Sequence, residues 1–207
     1  MDEIKKNYEE WATKYDGQEN KTRDLGEQVL EEYEDLFEDA VVLECGCGTG
    51  HKTQWIADRC LKVVGVDFSE KMLEIAQEKV NGEHVVLLQQ DLNDEWMVED
   101  GVVDVIVFNL VLEHIENVKH VFKEAHRALK DGGGMLIAEY HPDKQAQGKG
   151  ATYVNDEGEQ VALPTYPHTE DEFAKAAEGV GFEFVELNDW KADDDEEPRL
   201  LSMLFVK

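Results

Sequence analysis

Between residues 41 and 140 short apolar, β-branched runs take turns with segments of helical period. The runs at 41–45, 62–67, 85–90, 103–109 and 134–140 are apolar nearly throughout, as strands buried on both faces must be. Between them, 51–59, 70–79 and 117–129 carry apolar residues at helical spacing, for example Met72, Leu73, Ile75 and Ala76. Strands that alternate with helices pair in parallel, because each helix carries the chain back across the sheet. The chain therefore reads as α/β, with helices on both faces of one sheet. Asp131-Gly132-Gly133-Gly134 breaks it sharply after the third helix.

Outside this block the pattern changes. Residues 2–37 form an amphipathic helical stretch, and 142–168 is a polar excursion with Gly148, Gly150 and Gly158 and little periodicity. An insertion of that length is expected to serve as a lid or substrate loop. Thr169-Glu170-Asp171-Glu172 has the form of a capping box that opens a helix to about residue 180, and Gly181 stops it. Two further strands follow at 182–191 and 199–206, joined through the acidic stretch 193–197, which reads as a solvated hairpin tip. The 207 residues are expected to form a single domain, 1–207, with a helical cap over 1–38.

Composition removes several function classes. With 20 Lys and Arg against 48 Asp and Glu, the formal charge is −28, a field that repels nucleic acid and anionic lipid. At 42% hydrophobic and 9% aromatic the chain still fills a core. No apolar run approaches the ~20 residues needed to cross a bilayer, and the start Met1-Asp2-Glu3-Ile4-Lys5-Lys6 has no signal-peptide pattern, so a cytoplasmic protein is expected. Cys45, Cys47 and Cys60 lack C-x-x-C spacing, so neither a disulfide framework nor a zinc site is indicated; Cys45 and Cys60 read as small buried hydrophobes, and Cys47, between glycines, is placed to face a ligand without a base beside it. No metal is expected.

The chemistry lies at the strand ends. Val41 to Cys45 runs into Gly46-Cys47-Gly48-Thr49-Gly50 and then a helix, a turn in which missing side chains let the backbone approach a ligand. Such a turn alone serves a dinucleotide, a phosphate or no ligand. The dinucleotide fingerprint requires glycine where His51 stands, and His51 also separates Gly50 from Lys52-Thr53, so the P-loop pattern fails as well. Glu44 beside the turn suits a ligand with ammonium or sulfonium character better than a pyrophosphate. Asp67, at the end of the second run and about 20 residues beyond the turn, is placed to take both hydroxyls of a ribose, unless it only caps the next helix. Phe68 and Met72 are placed to flank an adenine, and Asp91 after the third run adds an acceptor for an exocyclic amine.

Glu44-Cys45-Gly46-Cys47-Gly48-Thr49-Gly50, Gly65-Val66-Asp67-Phe68-Ser69, Asp91-Leu92 and 104–109 together resemble the ordered motifs of class I S-adenosylmethionine-dependent methyltransferases of the small-molecule branch. The resemblance covers about residues 41–140 closely. It implies a Rossmann-like seven-stranded sheet of order 3-2-1-4-5-7-6 with strand 7 antiparallel, and S-adenosylmethionine as cofactor with S-adenosylhomocysteine as product. Carried over, it puts Glu44, Gly46 and Gly48 at the methionine end of the cofactor and Asp67 on the ribose. It puts Phe68 and Met72 on the adenine faces, and Asp91 with the Leu92 amide on its polar edge. Asn109 and Leu110 fall close to the sulfonium, and Leu112-Glu113-His114-Ile115 resembles the substrate-facing turn. By the same analogy the N-terminal helices close over the cofactor, with Tyr15 and Arg23 as caps for its carboxylate; the other reading of the cluster Tyr8, Trp11, Tyr15 and Arg23 is helix packing.

The expected reaction is methyl transfer to an O, N or S nucleophile of a small molecule, one that a negative field favours if it is cationic. The alternative is a non-catalytic protein of this fold that works through a protein partner. His141 and His114 follow adjacent strands, and His168 precedes the late helix, so His141 with His114 or His168 is expected to orient or deprotonate the acceptor. The oligomeric state is left open by the sequence.

Overall fold

The computed structural model describes residues 2–155 and 157–207, with backbone alone at Asp2; Met1 of the cap and Asp156 of the excursion lie outside the described residues. The sheet strands are β1 (Val41–Cys45), β2 (Lys62–Asp67), β3 (Val85–Gln89), β4 (Val103–Asn109), β5 (Leu129–Tyr140), β8 (Glu183–Trp190) and β9 (Leu200–Val206). A separate hairpin is made by β6 (Thr152–Val154) and β7 (Gln160–Ala162). The helices are α1 (Asp2–Tyr15), α2 (Lys21–Glu32), α3 (His51–Ala57), α4 (Glu70–Lys79), α5 (Val118–Ala128), α6 (Pro142–Ala146) and α7 (Glu170–Val180).

The main sheet has the order β3-β2-β1-β4-β5-β9-β8. Strands β1 to β5 pair in parallel, and β9 is antiparallel to both neighbours. Counted along this sheet alone, that is the expected order, with its last strand reversed. Alternation along each strand sends side chains to opposite faces. Ile106 and Phe108 of β4 join Phe122, Phe173 and Phe205 under α5 and α7, while Val105 and Val107 join Val29, Leu30 and Ile56 under α2 and α3. Both faces are covered, which is why the strands read as continuous apolar runs.

Local chemistry sets the helix starts. The Asn20 carboxamide oxygen accepts from the Thr22 and Arg23 amides, the Ser69 hydroxyl from Met72 and the Asn117 side chain from His120. The Thr169 capping box forms as expected, and Gly181 ends α7 in the left-handed region at φ 99°. Strand β5 is longer than the glycine break suggests: Leu129 already pairs with Val103, and the register shifts before Gly134 meets Val105. The excursion is not a featureless loop. It folds as α6 and the β6-β7 hairpin, whose Tyr153 stacks on Trp11 of α1 with ring centroids 5.4 Å apart. Cap and excursion thus meet above the carboxyl ends of the strands through a small apolar cluster of Trp11, Tyr153 and Leu163.

Candidate active site

In an open parallel sheet the ligand crevice lies beyond the strand carboxyl ends, where neighbouring connections diverge to opposite sides. Here that point is the gap between β1 and β4. A cleft of about 630 Å³, its open mouth included, occupies it. Its floor comes from Gly46 and Gly48 after β1, Asp67 and Phe68 after β2, Asp91 and Leu92 after β3, and Asn109 and Leu110 after β4. Met72 of α4 and Tyr15 of α1 complete this set of residues expected from sequence.

The turn after β1 is anchored by the Gly46 and Cys47 amides, which donate to the Val66 carbonyl at 2.7 and 3.0 Å. Gly46 has φ 75°, and a Cβ there would lie 2.4 Å from Val111 Cγ2, so a side chain would both strain the backbone and collide with the wall. At Gly48, φ 52°, a Cβ would instead project into open space above the strand end. The Gly48 amide donates to Asp67 Oδ2 at 2.9 Å and the Ser69 amide to Oδ1 at 2.8 Å. One carboxylate therefore ties the β1 turn to Ser69, the residue that caps α4, and also walls the cleft. Burial still pushes its pKa up to about 6, because two amides only partly replace lost hydration.

The end of β4 is held from beneath. Glu139 Oε1 accepts from the Val111 and Leu112 amides at 2.9 and 2.8 Å, and burial raises this carboxyl to about 8. Leu110 is left-handed at φ 62°, a strained conformation for a branched side chain, and its amide donates to the Ala138 carbonyl at 2.8 Å. Asn109 Nδ2 donates to the Gly26 carbonyl at 2.8 Å, while its buried Oδ1 has no partner. Gly26 is required for that contact, since a Cβ there would lie 2.4 Å from Asn109 Oδ1.

Not every expected residue reaches the cleft. Glu44 is buried and its Oε2 accepts from the Thr53 hydroxyl at 2.5 Å; its pKa is pushed up to about 7 by burial, and it stands behind the glycine turn rather than on the cleft wall. Arg23 lines a neighbouring cavity. Its Nη1 donates to the Tyr15 carbonyl at 2.6 Å, its Nη2 to the Gln18 carbonyl, and its guanidinium lies 4.3 Å from the Tyr15 ring centroid. Its two terminal nitrogens are thus spent on fastening α1 to α2, while its buried Nε has no partner among the described residues. Asp91 lines the cleft, yet its Oδ1 also closes its own turn by accepting from the Asn93 amide and side chain.

The three histidines are separated, which corrects the expectation of a shared crevice. His114 alone lines the cleft. His141 caps α6 by accepting the Asp143 amide at 3.2 Å on Nδ1, and its Nε2 lies 3.3 Å from Asp189 of β8. His168 is buried beside Phe173, with Nε2 2.7 Å from the Ile115 carbonyl. Both rings are turned into structural contacts by the loops that carry them. His114 is itself no strong base: burial lowers its pKa to about 4. The Pro164 carbonyl, 3.1 Å from Nδ1, can only accept, so Nδ1 carries the proton and Nε2 accepts from the Tyr8 hydroxyl at 2.8 Å. Val66, Gln90 and Val111 are cleft residues to which sequence reasoning gave no role; Tyr8 it named only within the N-terminal cluster and Ile115 only within the turn after β4.

A second cavity, about 860 Å³ with its mouth, adjoins the cleft and shares Tyr8, Tyr15 and Leu110 with it. Trp11, Tyr140, Glu113 and the segment 150–152 form other parts of its wall. A bipartite space of this kind suits two ligands that meet at the shared residues.

The family model described as methyltransferase domain matches residues 43–137, the segment that supplies most of the cleft floor. An uncharacterized methyltransferase of Emericella nidulans is 29% identical over 199 residues, which cover 85% of this chain and 64% of that protein. A malonyl-[acyl-carrier protein] O-methyltransferase of Priestia megaterium is 27% identical over 141 residues, covering 66% of this chain and 51% of its own. The chain thus spans between half and two thirds of the length of these two curated relatives. Among solved structures, an S-adenosylmethionine-dependent methyltransferase from Mesorhizobium loti superposes with a TM-score of 0.74 at 19% identity, over 87% of this chain and 96% of its own, which speaks to the fold. The strand order, the glycine turn facing an acidic β2 end and the matched domain converge: over residues 43–137 the chain is similar to the methyltransferase domain family, on a Rossmann-like methyltransferase fold.

Proposed function

We propose that this protein transfers the methyl group of S-adenosylmethionine to an O, N or S nucleophile of a small molecule held in the second cavity. The observation that carries the reading is the continuity of the strand-end cleft with that cavity across Tyr8, Tyr15 and Leu110. The cleft fits the cofactor: open space above Gly48, an acidic wall at Asp67 and the apolar flanks Phe68 and Met72 offer a mainly apolar slot with few fixed acceptors. Asp67 would hold the ribose, Phe68 and Met72 the adenine faces, Asp91 and the Leu92 amide its polar edge, and Gly46, Asn109 and Leu110 the methionine side. When bound, the cofactor supplies an electrophilic methyl on a sulfonium.

The protein's own part is alignment and exclusion of water. The cap and the hairpin, joined by the Trp11–Tyr153 stack, shield the junction of the two cavities from solvent. Tyr8, fixed by His114, presents its hydroxyl oxygen there and orients the acceptor. Incubation with S-adenosylmethionine and a metabolite extract should give S-adenosylhomocysteine in amounts that depend on the extract. Tight cofactor binding with no turnover in any extract would mark a binding protein that acts through a partner instead.

A further inference from the structure

Glu113 sits in the 3-10 turn Leu112–His114 that follows β4, 4% exposed, and lines the second cavity. Its Oε2 is buried without a hydrogen-bond partner among the described residues. A carboxylate oxygen left so costs free energy unless a donor completes it, and such an oxygen on a cavity wall points to a ligand group.

The surroundings define the chemistry of that group. Three cations share the wall, but Lys21 is paired with Asp194, Arg199 with Asp195, and Arg23 is bound to the Tyr15 and Gln18 carbonyls. His114 lies 4.0 Å from Glu113 Oε1, yet its ring is neutral because burial lowers its pKa to about 4. Among the described residues the Ala151 amide is the group that favours the ionised form, with no lysine or arginine beside it, and burial pushes this carboxyl up to about 7. The Glu113 carboxyl therefore lacks a cationic partner and a full set of N–H donors among the described residues. Tyr8, Trp11, Tyr15 and Tyr140 supply aromatic surface, against which a desolvated ammonium is stabilised. A Cβ added at Gly150 would stand 3.8 Å from Oε2, so the segment that leads into the β6-β7 hairpin passes beside the carboxyl.

We propose that the methyl acceptor is a primary or secondary amine, bound as its ammonium form against Glu113, which then takes its proton. This rests on the methyl-transfer reading above. The amine gives one N–H proton to Glu113 Oε2, and its freed lone pair forms the N–C bond to the methyl carbon. The C–S bond breaks with its electron pair left on sulfur, giving a neutral thioether and an N-methyl ammonium, and the proton on Glu113 passes to solvent.

The test uses the full chain with S-adenosylmethionine carrying a deuterated methyl group and a metabolite extract split on a cation exchanger into cationic and non-cationic fractions. Label should enter N-methyl products of the cationic fraction. Glu113→Gln should lower that labelling by at least about 10²-fold, the usual scale for loss of a positioned base. Glu113→Asp, which keeps the charge, should retain more of it. The labelled amine, titrated calorimetrically into protein saturated with S-adenosylhomocysteine, should bind Glu113→Gln about tenfold or more weakly than wild type, while both bind S-adenosylhomocysteine equally, which shows that the variant is folded. Label confined to O- or S-methyl products, or equal amine labelling by wild type and Glu113→Gln, would overturn the assignment and leave the transferase reading standing. Cofactor binding without label in either fraction would remove the transferase reading and this one with it.

Discussion

Asp67→Ala will weaken S-adenosylmethionine binding by at least about tenfold, and by about 10²- to 10⁴-fold if both hydrogen bonds to the ribose are lost. Hydrogen bonds to a charged acceptor contribute about 1.5–3 kcal/mol each, and about 1.4 kcal/mol is one decade of affinity. The loss has a second source in this structure. The Gly48 and Ser69 amides, 2.9 and 2.8 Å from the carboxylate, would be left without an acceptor, so the glycine turn and the start of α4 lose their common anchor. Asp67→Asn separates the two contributions. It retains one acceptor oxygen for the turn but removes the charge, and should fall between wild type and Ala. Isothermal calorimetry with S-adenosylmethionine decides the matter; affinity unchanged in Asp67→Ala would place the ribose elsewhere.

The second large effect is expected at the junction of the two cavities. Tyr8→Phe removes the hydroxyl that bridges His114 to the shared space, and should lower kcat by about 10- to 10²-fold, with little change in thermal stability. His114→Ala should reproduce that loss and add instability, because the Pro164 carbonyl then loses its buried donor. The double variant should be scarcely slower than the worse single one if the two act as a unit. His141→Ala and His168→Ala, whose rings serve the α6 cap and the Ile115 carbonyl, should leave kcat within about twofold and cost about 1 kcal/mol of stability instead. Steady-state rates beside denaturation midpoints for the four single variants distinguish these outcomes; a slow His141→Ala with normal stability would restore that residue to the site.

These contrasts show where sequence reasoning has purchase. Asp67, Asp91 and Asn109 were legible because a parallel strand that ends in a polar residue places it at the crevice whatever the loops do. The continuous apolar strands and the Thr169 capping box are legible for a similar reason: each is specified within a few residues. His141 and His168 failed because their directions are set by partners 48 and 53 residues away, Asp189 and Ile115, which no local pattern announces. The same holds for Tyr8, whose tie to His114 spans 106 residues. In the excursion, Thr152–Val154 and Gln160–Ala162 are too short and too polar to read as strands, and only Tyr153 against Trp11 makes them one with the cap. Arg23 was noticed as a fork suited to a carboxylate, but two backbone carbonyls satisfy the same fork geometry.

The formal charge of −28 assumes that every carboxyl is ionised. Burial has raised Glu44 to about 7, Asp67 to about 6, Glu113 to about 7 and Glu139 to about 8, from ordinary values of 4.5 or 3.8. The folded molecule near pH 6 therefore carries bound protons that its unfolded chain would release. Since the native state binds more protons than the unfolded state between about pH 4 and 8, stability contributed by these groups is greatest at the acidic end of that window and declines as pH rises through the folded pKa values. A urea midpoint that falls from pH 5 to pH 8 is the expected signature. Ligand groups that donate to these oxygens pull their pKa values back down, so filling the site becomes a proton-releasing event. The measured heat of cofactor binding should then differ between buffers of unequal ionisation enthalpy, and affinity should rise with pH while stability falls. The ligands would act as exchangeable counter-charges for an interior that the fold alone leaves partly protonated.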